Sequence, residues 1–445
     1  MKRISILNDV LGPIMRGPSS SHTAASYHIA LKARELLGEA PAEAEITFHA
    51  GSSYAVCFRR QGSDLAFATG LLGWPITDAR FKDALRLAPE SGLTVHFDAA
   101  PLPKADHPNY VRLGLVGVRG ARLEMAARSV GGGMFELAEV NGTPSSYRGP
   151  ELLPRSGEPP FASSAEMVAF AEARGLGAGD AALAYESMLL GIEPEAVAAE
   201  VGRRLDVMSA SVASGLAAEG EPMILLDRSA HRVFAAEARG VLPVGGLHTR
   251  AAARALAAMH TNCGMGVVCA APTAGSAGVL PGVMATLQED LGADRSVLVR
   301  CLLAAGLVGV FIAERATFAA EIAGCQVEIG AASAMAAAAV VEFGGGSAAQ
   351  CADAAAVSLQ NTMGSVCDLV QGVVEIPCHT RNAAGASSAF VVADLIMGGY
   401  ANPIPLDETI DAVYAVGRML PDELKVTSLG GIAVAPSARA MKPRR

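Results

Sequence analysis

From Ala165 onward the chain reads as one helical pattern after another, with Ala-rich segments, a charged residue every three or four positions, and Gly or Pro as punctuation. Alanine and leucine have the best helix propensities. Small side chains also let helices approach closely, so a stretch of this kind is constrained to a compact all-α unit. Residues 251–259, 296–311, 331–342 and 383–397 are helix candidates within it. The pattern is different before residue 150. Residues 45–49, 93–97 and 110–118 place apolar groups two apart, the period of a strand, whereas 24–37 has helical spacing with Gly38 as a stop. Between the two halves the composition shifts to Gly-Pro-Glu-Leu-Leu-Pro-Arg-Ser-Gly-Glu-Pro-Pro, which resists regular structure. The expected architecture is a small α+β N-terminal domain (residues 1–150), a linker (151–164) and a larger, mainly α-helical domain (165–445).

Composition narrows the function. The 445 residues are 51% hydrophobic but only 18% charged, which excludes disorder as the main state and suggests that part of the surface is covered by a second copy, a homodimer. Net charge is −9 and the only basic run is the short tail from Lys442, so no nucleic-acid partner is expected. The longest uncharged apolar runs, 301–313 and 329–341, fall short of the ~20 residues that a membrane span needs, and Asp9 interrupts the N-terminal apolar run. The expectation is a cytoplasmic protein with no membrane partner. Seven of the eight cysteines lie after residue 260, with Cys57 alone in the first third; in a reducing compartment they are thiols, metal ligands or catalytic groups rather than disulfides.

Three stretches could carry chemistry. Gly17-Pro18-Ser19-Ser20-Ser21-His22-Thr23 stands just before a helical pattern, where hydroxyls cap and free N–H groups favour an anion such as a carboxylate. Taken alone, it also reads as an ordinary Ser-rich helix start. The stretch 271–282 contains Pro272-Thr273-Ala274-Gly275-Ser276-Ala277-Gly278, a loop poor in charge whose glycines permit close approach of a ligand. Its plain alternative is an interhelical loop. Cys325, Cys367 and Cys378, separated by 42 and 11 residues, each adjoin a turn former or a polar residue, but their spacing matches neither a zinc ribbon nor a ferredoxin run. Cys269, Cys301 and Cys351 look like small core hydrophobes.

Together these stretches resemble the iron–sulfur-dependent L-serine dehydratase (L-serine ammonia-lyase) family. Its members pair a small domain carrying Gly-Pro-Ser-Ser-Ser-His-Thr with a helical catalytic domain carrying Pro-Thr-Ala-Gly-Ser-Ala-Gly, Gly-Cys-Gln-x-Glu-x-Gly and a Cys-Asp…Pro-Cys-x-x-Arg-Asn pair. The four motifs occur here in the same order, at 17–23, 272–278, 324–330 and 367–382, so the resemblance covers nearly the whole chain. It implies a [4Fe–4S] cluster on Cys325, Cys367 and Cys378, with one iron left open to act as Lewis acid on the hydroxyl to be eliminated. It further implies that an amino acid substrate rests its carboxylate on Ser19, Ser20, Ser21 and Thr23, with Thr273 and Ser276 assisting and Asn109 nearby. Pyridoxal phosphate, the rival cofactor for β-elimination, needs a Schiff-base lysine. None of the six lysines lies in a Gly-rich phosphate-binding context. Lys425 instead stands in Lys425-Val-Thr-Ser-Leu-Gly-Gly, similar to a C-terminal string of the family.

The sequence also departs from the pattern. Where the family has His-Gly-Thr-Asp, its histidine a proposed base, this chain reads Gln61-Gly62-Ser63-Asp64, and Gln61 cannot take a proton. His22 and His107 are the replacement candidates. The family's Thr-Gly-Gly-Asp string is missing, Asn-Ala before the Pro-Thr loop appears as Asn262-Cys263, and no extra regulatory segment follows Asn141-Gly142. The last residues hold no cysteine, so capping of the open iron from the tail is not expected. The leading expectation is β-elimination of water from L-serine to give pyruvate and ammonia. The rivals are a paralogue acting on another β-substituted amino acid, and a non-catalytic module that binds a cluster or an amino acid.

Overall fold

A computed structural model describes residues 3–444; Met1, Lys2 and Arg445, which belong to the N-terminal and basic-tail readings, lie outside the described residues. The N-terminal part contains β1 (Ile14–Arg16), α1 (Ala25–Leu37), β2 (Pro41–His49), α2 (Ser53–Cys57), α3 (Ser63–Leu72), α4 (Ala84–Leu87), β3 (Thr94–Ala100), β4 (Tyr110–Gly117), β5 (Arg122–Gly131), β6 (Met134–Val140), β7 (Thr143–Pro144) and β8 (Arg148–Gly149). Its mixed sheet has the order β3-β2-β4-β5-β6-β7, with β8 on β6; β2 and β3 are parallel and the other pairings antiparallel. Alternation explains the layering. Ala44, Ile46 and Phe48 of β2 all face one side and pack with Val111, Leu113 and Leu115 of β4 under Ile29, Ala33 and Leu37 of α1. Gly38 ends α1 in the left-handed conformation, as the sequence reading required.

The rest is helical: α5 (Ser164–Glu172), α6 (Ala178–Leu190), α7 (Pro194–Leu216), α8 (Ala230–Ala238), α9 (Leu247–Cys263), α10 (Val279–Glu289), α11 (Arg295–Arg315), α12 (Ala320–Ala323), α13 (Ile329–Phe343), α14 (Ala348–Thr362), α15 (Cys378–Met397), α16 (Leu406–Met419) and α17 (Pro436–Ala440), with one short strand, β9 (Val267–Cys269). Each of the four helix candidates falls inside one of these elements. Helix α13 is apolar on every side and occupies the centre, packed by α11, α14 and α15. The small residues set the spacing: a Cβ built on Gly385 of α15 would lie 2.3 Å from Ser333 Oγ of α13. Two helical runs, Arg295–Arg315 and Cys325–Phe343, are longer than their uncharged centres and reach the length and hydropathy of a membrane span. Burial within the protein, 72% and 78% of the respective windows, accounts for that character as helix-on-helix core.

The first residues do not stay with the sheet. Ile4, Ile6, Leu7, Val10 and Leu11 join the helical core, and the turn Ile6–Val10 is held by the buried Glu186 of α6. That carboxylate accepts from Ser5 Oγ (2.5 Å) and from the N–H groups of Ile6 (2.8 Å) and Leu7 (3.0 Å). The segment 151–164 straps the same turn, with Asn8 bonded both ways to the Leu153 backbone and Arg155 on Asp9 at 2.6 Å. Next along the chain, β1 pairs antiparallel with β9 in the register Ile14↔Cys269, Met15↔Val268, Arg16↔Val267. This two-stranded ladder couples the N-terminal part to the helices.

Two outcomes test this packing. A Cβ at Gly309 of α11 would meet Val10 Cγ1 at 2.2 Å, so Gly309→Ala should destabilise the protein by about 1–3 kcal/mol in urea unfolding despite its better helix propensity; a neutral or stabilising effect contradicts the docking of residues 6–10. His28 of α1 is buried against the Gly133 carbonyl (2.9 Å), and burial lowers it to about 4. A histidine depressed in the folded state costs stability as pH falls below its unfolded value of about 6.5. Unfolding free energy should therefore drop by up to about 1.4 kcal/mol per pH unit from this residue between pH 6.5 and 4. His28→Gln should flatten that slope.

Candidate functional site

The β1–β9 ladder feeds two loops into the same place. After β1 the chain turns through Gly17-Pro18 into 19–23, and after β9 it turns through Ala271-Pro272 into 273–278; Gly17 N–H donates to the Gly266 carbonyl and Ala270 N–H to that of Pro13. Asn262, at the end of α9, ties them together, donating to the carbonyls of Pro18 (3.0 Å) and Ala274 (2.9 Å). Asn382 of α15 continues the tie, donating to the carbonyls of Gly275 and Cys378 (both 2.9 Å) and accepting from Gly278 N–H (3.0 Å). Glycine is needed at 17, since a Cβ there would lie 2.1 Å from Asn262 Oδ1.

A cavity opens between these loops. Ser19, Ser21, His22 and Gln61 of the N-terminal part line it together with Gly275, Glu328, Cys367, Cys378 and Val426 of the helical part. Cys325 Sγ, Cys367 Sγ and a Glu328 carboxylate oxygen lie within 4.8 Å of one another. Cys378 is not one of that trio but lines the same cavity as Cys367 and interacts electrostatically with Cys325, so thiols from the short turn Cys325–Val327, from the segment after α14 and from the start of α15 come near one another, although 53 residues of chain separate the outermost two. Cys325 falls below the ordinary thiol range because the Cys367 thiol bonds to it, with Arg381 favouring the thiolate against burial. Cys367 is correspondingly pushed well up by that bond and by burial, and Cys378 by burial and by Cys325. Glu328 is raised well above 4.5 by burial and by the neighbouring Cys325 and Glu321, with Thr273 bonded to its carboxyl. Arg381 donates to the Val366 carbonyl (2.8 Å) and pairs with Asp368 (3.1 Å), whose other oxygen accepts from Ile432 N–H (2.8 Å). The C-terminal segment clasps the same loop: Cys367 exchanges backbone bonds with Leu424 and Val426 on either side of Lys425, and Ser428 Oγ donates to the Leu369 carbonyl.

On the other wall, Ser19 caps the helical turn Ser20–Ala24 that runs into α1, its Oγ accepting from His22 N–H. Thr23 Oγ1 donates to the Gln61 carbonyl (2.6 Å), and Gln61 Nε2 donates to the Gly372 carbonyl (3.1 Å), in the loop between Cys367 and Cys378. His22 is 1% exposed; its Nδ1 faces Ser21 Oγ (3.0 Å) and Ser19 Oγ (3.3 Å), and its Nε2 faces Ser53 Oγ (3.3 Å). Burial lowers it below 6.5, with Glu321 acting in the opposite sense. Asn109 is fully buried and donates through Nδ2 to Glu321 Oε1 (2.6 Å). His107 Nδ1 accepts the Asn109 N–H (3.1 Å), and the His107 ring is not on the cavity wall. Thr273 and Ser276 bond to each other (3.1 Å) as a capping box; the Ser276 hydroxyl turns into its own loop, toward the carbonyls of Thr273 and Ala271. Ser20 Oγ, Asn262 Oδ1, Glu321 Oε2 and His107 Nε2 are buried polar atoms in this region with no hydrogen-bond partner among the described residues.

The structure therefore brings Ser19, Ser21, His22, Cys367 and Cys378 onto one cavity, with Cys325, Thr273, Thr23 and Asn109 directly behind its walls. His107, Ser20 and Ser276 sit farther back. Sequence reasoning gave no role to Glu321, Glu328, Asn262, Asn382 or Ser53. Glu328 and Asn382 stood inside quoted motifs and could have been found there; Glu321 lies on a four-residue helix with no motif around it. Cys263, which follows Asn262, is tied to the loop before α15: its thiol donates to the Val374 carbonyl (2.9 Å) and contacts His379 Nε2 (3.2 Å).

Comparison with known proteins bears on this arrangement. The family described as serine dehydratase alpha chain matches residues 119–433. A probable L-serine dehydratase, alpha chain, of Bacillus subtilis (strain 168) is 37% identical over 284 residues, covering 64% of this chain and 95% of the relative. The L-serine dehydratase, alpha chain, of Peptoniphilus asaccharolyticus is 35% identical over 269 residues (60% of this chain, 92% of the relative). An L-serine dehydratase of Mycobacterium bovis is 31% identical over 471 residues, covering 94% of this chain and 95% of the relative, so the likeness extends through the sheet-bearing part as well. The chain belongs to the L-serine dehydratase family.

Proposed function

We propose that this protein is an iron–sulfur-dependent ammonia-lyase that converts L-serine to pyruvate and ammonia. The observation that carries the reading is one cavity lined by Ser19, Ser21 and His22 of the N-terminal part and by Cys367 and Cys378 of the helical part, with Cys325 beside Cys367 just behind the wall. The residues fit a [4Fe–4S] cluster by donor chemistry: three soft thiols, one already biased toward thiolate, in a buried pocket beside a guanidinium. When bound there, such a cluster would supply a Lewis-acidic iron for the departing β-hydroxyl.

This chain's own residues do the rest. The first N–H groups of the turn at Ser20, together with the Ser19 and Ser21 hydroxyls, hold the substrate carboxylate, because a helix leaves its leading donors without internal partners and its dipole favours an anion. His22 Nδ1, on the cavity wall between those two hydroxyls, takes the α-proton. Loss of that proton and of the β-hydroxide gives 2-aminoacrylate and water; tautomerisation to the imine and addition of water then release pyruvate and ammonium. Gln61 stands on the wall as a tether to the Gly372 carbonyl, which fits its inability to act as the base. The second reading, a substrate with a different β-substituent, draws on the same position, since an amide there changes the groups that a side chain meets.

Anaerobic loading with iron and sulfide should give a protein that forms pyruvate from L-serine, and Cys325→Ser, Cys367→Ser or Cys378→Ser should each lower bound iron and abolish pyruvate formation. Full cluster content without pyruvate from L-serine would overturn the serine assignment. A second outcome concerns the base. A proton acceptor works only when neutral, so activity falls as pH drops through its pKa; with His22 lowered by burial, the acid limb of kcat/KM should lie below 6.5. His22→Gln should remove that limb and cost about 100-fold or more in kcat.

A further inference from the structure

We infer that Glu321 acts through Asn109 and Ser53 as a positioning residue that fixes the proton of His22 on Nε2 and leaves Nδ1 bare toward the cavity. The inference rests on the reading of His22 as proton acceptor and goes beyond it, because neither the motifs nor the relatives assign a role to Glu321, Asn109's amide direction or Ser53.

Glu321, 4% exposed on α12, presents carboxylate oxygens, and Oε1 lies 2.6 Å from the Asn109 amide. Two acceptors cannot face each other at that distance, so the Asn109 NH2 points at Glu321 and Oδ1 points the other way. Oδ1 there meets Ser53 Oγ, which donates its single hydrogen to it. With that hydrogen committed, the Ser53 oxygen can only accept from its other neighbour, His22 Nε2, at 3.3 Å. Nε2 must then carry the hydrogen. A neutral imidazole has only one, so Nδ1 is the bare nitrogen, and the Ser21 and Ser19 hydroxyls at 3.0 and 3.3 Å can donate to it until substrate arrives.

Two further contacts keep the chain from reversing. Asn109 is sealed from bulk solvent, and its backbone N–H donates to His107 Nδ1, which holds the residue in register. Tyr54 packs edge-on against the His22 ring with centroids 5.0 Å apart, fixing the ring plane. Glu321 has a second action. Its Oε1 is 3.8 Å from His22 Nδ1, so the same carboxylate that sets the tautomer also stabilises the imidazolium formed when Nδ1 is protonated. One carboxylate from the helical part thus sets the tautomer through Asn109 and Ser53 and stabilises the imidazolium through space, on a histidine carried by the N-terminal part. His107, a base candidate by sequence, becomes a support for Asn109.

The test is nitrogen NMR of the full-length protein labelled with 15N-histidine, with the His22 signal identified by its loss in His22→Gln. The wild type should show the Nε2–H tautomer at neutral pH. Ser53→Ala should let the Nδ1–H form appear and lower kcat about 10–100-fold with KM changed less than twofold, whereas Ser53→Thr should keep the Nε2–H signal. Glu321→Gln, which can still accept from Asn109, should keep the tautomer but lower kcat about tenfold through loss of the charge. A wild-type His22 in the Nδ1–H form would overturn the relay with no variant needed, and so would a Ser53→Ala protein in which both tautomer and kcat are unchanged. Retention of kcat by His22→Gln would instead overturn His22 as the proton acceptor, with the tautomer signal still deciding the relay.

Discussion

The β1–β9 pairing is the constraint on which the site depends. Three residues on each side, Ile14–Arg16 and Val267–Cys269, bring together two loops that begin more than 250 residues apart in the chain. Neither loop could form its share of a binding site alone: 19–23 supplies hydroxyls and His22 but no thiol, and 273–278 is spent largely on its own capping box. Asn262 and Asn382 then convert adjacency into rigidity, because each satisfies carbonyls on two segments at once. Loss of one such amide would strand two buried acceptors, a cost of roughly 1–3 kcal/mol for each.

The thiol wall depends on a similar economy of short segments. Cys367 is bonded on both backbone sides to 424–426, Gly372 is held by Ser428 Oγ and by Gln61, and Asp368 joins Arg381 to the backbone at Ile432. The loop between Cys367 and Cys378 is therefore clamped by the C-terminal segment on one side and by the N-terminal part on the other. Helix α13 behind it contributes mass rather than chemistry. Its alanines allow α11, α14 and α15 to close around it, which is why a chain so poor in aromatic residues still fills its centre.

Much of this was legible in the sequence, for physical reasons that differ by feature. Helix α13 and helix α15 announced themselves through alanine and period, and β2, β3 and β4 through alternation, because one side of each turns inward, buried in β2 and β4 and half-buried in β3. Gly38 marked the end of α1 because only a left-handed residue serves there. The docking of Ile6–Val10 into the helical core was not legible, since a five-residue turn has too little pattern to show which part it will join; the buried Glu186 that captures it lies 180 residues away from Ile6. At the site, the cysteines and the Ser-rich turn were readable as motifs. Glu321, Ser53 and Asn109's amide were not, because their roles lie in the direction of hydrogen bonds across the two parts of the fold, which spacing along one segment cannot encode. His107 looked as able a base as His22 until the cavity placed one on its wall and the other behind Asn109.

The central claim is that the Ser19–His22 turn and the three thiols serve one substrate at one time. The most direct measurement is an anaerobic crystal structure of the iron-loaded His22→Gln protein with L-serine, in which slow turnover leaves substrate in place. The account predicts the carboxylate on the turn at Ser19–Ser21, the hydroxymethyl group directed to the Cys325, Cys367 and Cys378 centre, and the α-hydrogen facing residue 22. Serine bound away from that turn, or three cysteines that share no metal centre, would contradict it.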